Sequence, residues 1–325
     1  MPPSAAWPHL TRRRLWLNAA AAMPLALHLR PAHAATPAGA GDLMPDFWRA
    51  YDASRSGPAP SRAGHLHRDF FSRHEATYRL AGLKPPDEPA IARWLERFDT
   101  IAADTRALHG RFERELARHG AAFRAALPDF DPQRSPVYVL PSMDRFDAHL
   151  EPQPDGLPLF FAPDGIARYH GAAADLSVLF MHEMFHCYQG QLNAGMAQDA
   201  QPPVYVNLWI EGGATYASEQ LNPRASLRHV LLDDEVLLRE GPRAATRVAA
   251  AMLDCIDATD DATLNSFFSM GTTTAGWPAR AGYYVGLLAA RDWARTMSLQ
   301  QLAAMPREQV RQRSLEALRT IASQA

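Results

Sequence analysis

His182-Glu183-Met184-Phe185-His186 sets two imidazoles four residues apart, with a carboxylate between them. The frame around them is apolar and of helical spacing: Leu176, Leu179, Phe180, Met181, Met184 and Phe185. On a helix, positions i and i+4 share a face, so both imidazoles can reach one tetrahedral zinc ion at about 2.0–2.1 Å. Glu183 projects beside them, close enough to take a proton from a metal-bound water. The competing reading is two buried histidines on a core helix. A third ligand decides between them, because a catalytic zinc keeps three protein ligands and one open position. Glu211 is available for that role, inside an apolar helical segment with Trp209, Ile210 and Ala214 around it. A buried carboxylate is costly without a partner, and zinc would be that partner. Gly212 and Gly213 let this helix approach a neighbour closely, at about 1 kcal/mol each in helix propensity.

The pair formed by H-E-x-x-H and Trp209-Ile210-Glu211-Gly212-Gly213-Ala214-Thr215-Tyr216 resembles the gluzincin zinc metallopeptidases. Their pattern is HExxH followed by a glutamate on a second helix. The W-x-E-G-x-A-x-Y wording is similar to that of the M1-type aminopeptidases and of a group of small bacterial zinc proteases. The resemblance covers residues about 137–290. It implies a zincin-like catalytic domain, a zinc cofactor on His182, His186 and Glu211, Glu183 as general base, and a peptide or protein substrate. It also implies a strand beside the HExxH helix that holds extended peptide by strand addition; residues 158–162 are the candidate, the other reading being an ordinary core or edge strand. Two departures matter. Twenty-four residues separate His186 from Glu211, and the loop 193–203 could absorb the excess. No G-x-M-E-N segment is present to hold a substrate's amino terminus, which points away from aminopeptidase action and towards an endopeptidase or an unusual substrate.

Attack on a carbonyl creates an oxyanion that a hydrogen-bond donor must face. Residues 280–286, Arg-Ala-Gly-Tyr-Tyr-Val-Gly, are the best source of one. Gly282 and Gly286 are four apart, so that helix face could pack closely on the site, and Tyr283 or Tyr284 would donate. The other reading is tyrosines packed with their hydroxyls in water. Arg280 could pair with a substrate carboxylate or with an acid near the site. Tyr216 is an alternative donor or an orienting residue, and Thr215 and Glu219 could orient a ligand imidazole. His65, His67 and His74 match no closed site by spacing. Ser142 and Ser177 lack a nucleophile elbow, and there is no phosphate-binding glycine loop.

The elements that must position these groups are mostly helical. Pro85, Pro86, Asp87 and Pro89 announce a helix start, and Ile91, Leu95, Phe98, Leu108 and Phe112 continue it; the helix can run to Leu127, with Gly110 and Gly120 as the places where it could break. Strands are expected at 137–140, 157–162 and 166–169, with Asp164-Gly165 as a turn between the last two. Helices are expected at 173–193, 204–221, 225–239, 243–256, 280–296 and 306–323. The fold class is therefore α+β, mostly α: a gluzincin-like region at 129–325 with a small sheet and a helical part, preceded by a helical region at 43–128.

Residues 1–34 read as an export signal: Thr11-Arg12-Arg13-Arg14, a 13-residue apolar run from Leu15, then Ala32-His33-Ala34. The arginine pair resembles the twin-arginine signal, which gives an exported protein, periplasmic or secreted, with 35–42 as a linker. The whole chain of 325 residues carries a formal charge of -2; without the leader, 291 residues carry -6. That balance gives no chain-wide basic field for nucleic acid, so no nucleic-acid partner is expected. No stretch is apolar enough for a membrane span, so stable membrane insertion is not expected. Two cysteines, Cys187 and Cys255, allow one bridge or two thiols. Two other function classes stay open: a zinc-dependent amide or ester hydrolase of other substrates, and a degenerate gluzincin-like binding domain. The complete His-Glu-His-Glu set counts against the second, since a binding module has no need of Glu183.

Overall fold

A computed structural model describes residues 41–324 apart from 155, 198, 270 and 272–274. The expected leader at 1–34 and residues 35–40 of the expected linker lie outside the described residues. The last two linker residues form a strand instead, β1 (Gly41–Asp42). Three short helices follow, α1 (Met44–Ser54), α2 (Ala59–Leu66) and α3 (Glu75–Leu80). Next comes α4 (Glu88–Ala126), a single helix of 39 residues. Asp87 caps it by accepting the Ala90 N–H, and Pro89 sits in the first turn, where a missing N–H costs nothing. No break occurs at Gly110 or Gly120. A helical glycine costs about 1 kcal/mol, too little to interrupt a helix that buries Ile91, Trp94, Leu95, Phe98, Leu108, Phe112 and Phe123.

Strands β2 (Val137–Val139), β3 (Ala148–Leu150) and β4 (Leu159–Phe161) complete a four-stranded sheet of order β1-β2-β4-β3. The first three strands in that order run parallel, and β3 pairs antiparallel with β4, Ala148 opposite Phe161. All three residues of β4 are buried, as a strand covered on both faces requires. The strand expected at 166–169 is not one. Residues 163–170 are helical, α5 (Pro163–His170), because Pro163 and Asp164 supply a helix N-terminus rather than a hairpin turn. Gly165 is needed there for another reason: a Cβ on it would lie 1.9 Å from the Phe146 carbonyl oxygen. The true antiparallel partner, β3, lies outside the expected strands.

The rest is helical: α6 (Leu176–Leu192), α7 (Ala194–Ala197), α8 (Val204–Leu221), α9 (Leu227–Val230), α10 (Glu235–Asp254), α11 (Asp261–Phe268), α12 (Ala281–Trp293), α13 (Leu299–Ala303) and α14 (Arg307–Ala322). The break expected around Gly241-Pro242 falls instead at 231–234, where Leu232 and Asp233 both take positive φ, 57° and 58°. Asp234 then caps α10, which continues through Pro242. An interior proline costs a helix about 3 kcal/mol; burial of Leu237, Gly241, Ala244, Ala245 and Val248 along one face offsets it.

The chain is thus mostly helical with a small mixed sheet. Its apolar interior has two parts. One joins α1 to α6 and the sheet, so the helices of 43–126 share a core with the strands. The other joins most of α8 to α14. Helices α6 and α8 face each other where the two parts meet. Among the described residues no helix is long and apolar enough to cross a membrane.

Candidate metal centre

Asp175 caps α6 by accepting the Ser177 N–H, and the helix is buried over most of its length. Such a helix is apolar all round, so its two histidines point into protein on whichever face they stand. They stand one turn apart, their rings nearly perpendicular at 89° and 4.6 Å between centroids. Their Nε2 atoms are 3.0 Å apart. Helix α8 brings Glu211 to the same point: its Oε2 is 3.4 Å from His182 Nε2 and 3.5 Å from His186 Nε2. This is the one group of three His, Cys, Asp or Glu residues among the described residues whose donor atoms lie close enough to hold a metal ion.

The two glycines after Glu211 serve different neighbours. A Cβ on Gly212 would lie 2.4 Å from the carbonyl oxygen of Gly286 on α12, whereas one on Gly213 would meet the Gln189 amide on α6 at 2.9 Å. Glu211 therefore sits on a helix that meets α12 at backbone distance on one side and the Gln189 and Phe185 side chains of α6 on the other.

Glu183 follows His182 into the interior and is 3% exposed. The two tyrosines of α12 part company. The Tyr283 ring lies nearly parallel to the His182 ring, 15° apart at 6.2 Å. Tyr284 turns to α10, where Gly241 leaves room for its ring; burial raises the pKa of its hydroxyl. Arg280 precedes α12 with a positive φ of 58° and is 4% exposed. Its guanidinium lies 4.4 Å over the Tyr283 ring, bonds the Leu231 carbonyl and faces Asp234 at 3.7 Å. It reaches the strained turn 231–234, so the acid it pairs with is Asp234.

Other residues singled out by the sequence do different work. Tyr216 has Glu219 and Arg291 as its charged neighbours, and Glu219 forms a two-point ion pair with Arg291 that ties α8 to α12. Thr215 donates to the Glu211 carbonyl, not to an imidazole. Residues 158–162 cannot hold peptide by strand addition, because β4 already has β2 on one side and β3 on the other. Cys187 and Cys255 are both free thiols; burial pushes the pKa of Cys187 up to about 12. His74 pairs with Asp46 and His65 with Asp69.

Sequence reasoning missed Gln189. Its side chain lies 3.3 Å from His186 Nδ1 and 3.1 Å from the Trp209 carbonyl. Its spacing of three from His186 was the available signal.

Comparison with family models, with curated proteins and with solved structures gave no match.

Proposed function

We propose that the chain is a zinc metallohydrolase of gluzincin type, acting as a peptidase, with His182, His186 and Glu211 as metal ligands. One observation carries the reading. The three donor atoms are 3.0, 3.4 and 3.5 Å apart, and the corners of a tetrahedron with bonds of 2.0–2.1 Å are about 3.3 Å apart. Two imidazoles and one carboxylate are also a donor set that suits zinc in a catalytic site. A helix carrying both histidines beside a small mixed sheet, with a second helix delivering the glutamate, supports a zincin-like arrangement.

Zinc held there would supply a Lewis acid for a substrate carbonyl. Glu183 takes the proton of the attacking water and returns it to the leaving amine, a role that suits a buried carboxylate one residue from His182. Tyr283 faces the oxyanion as donor; its ring beside His182 favours it over Tyr284. Arg280, stacked on Tyr283 and anchored to the turn 231–234, steadies that ring. Export by the leader at 1–34 is part of the same proposal.

The test is metal analysis joined to one substitution. Protein purified without chelator should carry about one zinc per chain. Glu183→Gln should keep the metal and lose hydrolysis of a peptide library by orders of magnitude. A folded protein with no affinity for zinc would overturn the proposal, and so would an unimpaired Glu183→Gln.

A further inference from the structure

Gln189 is 2% exposed and lies one helical turn beyond His186 on α6. Its side chain meets two groups whose hydrogen-bonding character differs. On one side is the Trp209 carbonyl of α8, 3.1 Å from the amide nitrogen. A backbone carbonyl can only accept, so the NH2 end of the amide must face it. The amide oxygen therefore faces the other way, 3.3 Å from Nδ1 of His186. That oxygen also can only accept, so this contact is a hydrogen bond only with hydrogen on Nδ1. The reversed amide would set oxygen against oxygen at Trp209.

A neutral imidazole has one N–H. With it on Nδ1, Nε2 of His186 keeps its lone pair, and Nε2 is the atom that faces His182 Nε2 and Glu211 Oε2. The structure makes specific room for this bridge. A Cβ at position 213 would crowd the Gln189 amide at 2.9 Å and the Phe185 ring at 3.3 Å, and the residue there is Gly213. The same amide ties the helix that bears the histidines to the helix that bears Glu211.

We propose that Gln189 is a positioning residue: it fixes the tautomer of His186, leaving Nε2 without hydrogen toward the metal site. The consequence for metal affinity rests on the function proposed above; the tautomer itself does not.

The tautomer can be read without metal, by imidazole-nitrogen NMR of the full chain after chelation, at about pH 9 and so above the ordinary imidazole range. His186→Ala identifies the signal. His186 should carry its hydrogen on Nδ1 in the wild type and in Gln189→Glu, which still accepts at Nδ1 although it sets an oxygen against the Trp209 carbonyl. In Gln189→Leu the hydrogen should move wholly or partly to Nε2. Zinc affinity, from competition with a chromophoric chelator, should fall roughly 10–100-fold in Gln189→Leu, and less in Gln189→Glu. A wild-type His186 with hydrogen on Nε2 overturns the proposal, and so does Gln189→Leu with tautomer and affinity unchanged. If Gln189→Leu does not fold, the wild type and Gln189→Glu decide: hydrogen on Nδ1 in both supports the proposal, and hydrogen on Nε2 in the wild type overturns it. A wild type that shows the Nδ1–H tautomer yet binds no zinc defeats the metal reading alone.

Discussion

Gly212 of α8 and Gly286 of α12 cross at backbone contact. A Cβ built on Gly212 falls 2.4 Å from the Gly286 carbonyl oxygen, and one built on Gly286 falls 2.8 Å from the Gly212 Cα. Neither neighbour is a side chain that could swing away. The crossing holds Glu211 and Tyr283, each close in sequence to one of these glycines, around the same histidine, His182.

Adding a methyl group at this crossing must separate the two helices. Gly212→Ala or Gly286→Ala should destabilise the protein by about 1–3 kcal/mol or more and weaken zinc binding as well. Gly110→Ala is the contrasting case. It is exposed in α4 with nothing within 4 Å of its would-be Cβ, so it should stabilise by about 0.5–1 kcal/mol. Urea unfolding of the three variants measures both effects. Equal behaviour at positions 110 and 286 would contradict the crossing.

The division between Tyr283 and Tyr284 is testable by removing each hydroxyl. Tyr283→Phe should lower kcat roughly 10²–10³-fold, the size of effect seen when one oxyanion donor is lost, with KM little changed. Tyr284→Phe, whose ring packs on α10, should leave kcat nearly intact. Steady-state kinetics on any cleaved peptide decide it, and a larger loss in Tyr284→Phe would reverse the assignment.

Zinc that binds only the folded chain must stabilise it. At free zinc a thousandfold above Kd, the gain is about 4 kcal/mol. The wild type should show this rise in unfolding free energy over the chelated protein. His182→Ala, His186→Ala and Glu211→Ala should lose most of it, and Glu183→Gln should keep it. A zinc effect that survives Glu211→Ala unchanged would remove that residue from the ligand set.

Asp164 gives a pH dependence of known sign. It is fully buried (0% exposed) at the start of α5. Burial pushes its carboxyl from 3.8 up to about 7, opposed by backbone N–H groups that include Ser142 and reinforced by the charge of Asp144. A carboxyl raised in the folded state keeps its proton where the unfolded chain has already released it. Its contribution to stability is whole below about pH 4, the ordinary aspartate range. It is lost as the pH climbs through about 7. Asp164→Asn does not titrate. The stability of the wild type relative to Asp164→Asn should therefore fall between those limits and be level outside them. Urea unfolding across the range checks it, and a difference that does not change with pH would refute it.

Some of this was legible from the sequence by itself. Local rules carry a long way along a helix: the i, i+4 spacing of His182 and His186 puts both on one face whatever the fold. The apolar setting of Glu211 marks it as a carboxylate that needs a partner. The limits of α8 and α14, which start directly after Pro203 and Pro306, and the course of α4 from its Asp87 cap follow from local signals that act within a few residues. The fold class, mostly helical with a small sheet, follows from the same patterns.

Tertiary structure decided whatever depends on what lies across a gap. Residues 166–169 carry a strand-like pattern, yet Pro163 starts a helix there, and the sheet takes β3 as its antiparallel partner instead. Pro242 reads as a break, but packing of α10 carries the helix through it. Tyr283 and Tyr284 are adjacent and chemically identical, so only the placement of α12 against α6 and α10 separates their surroundings. Gln189 has the plainest case. An amide has no metal signature in a sequence, and its importance comes from a carbonyl on another helix that fixes which way it points.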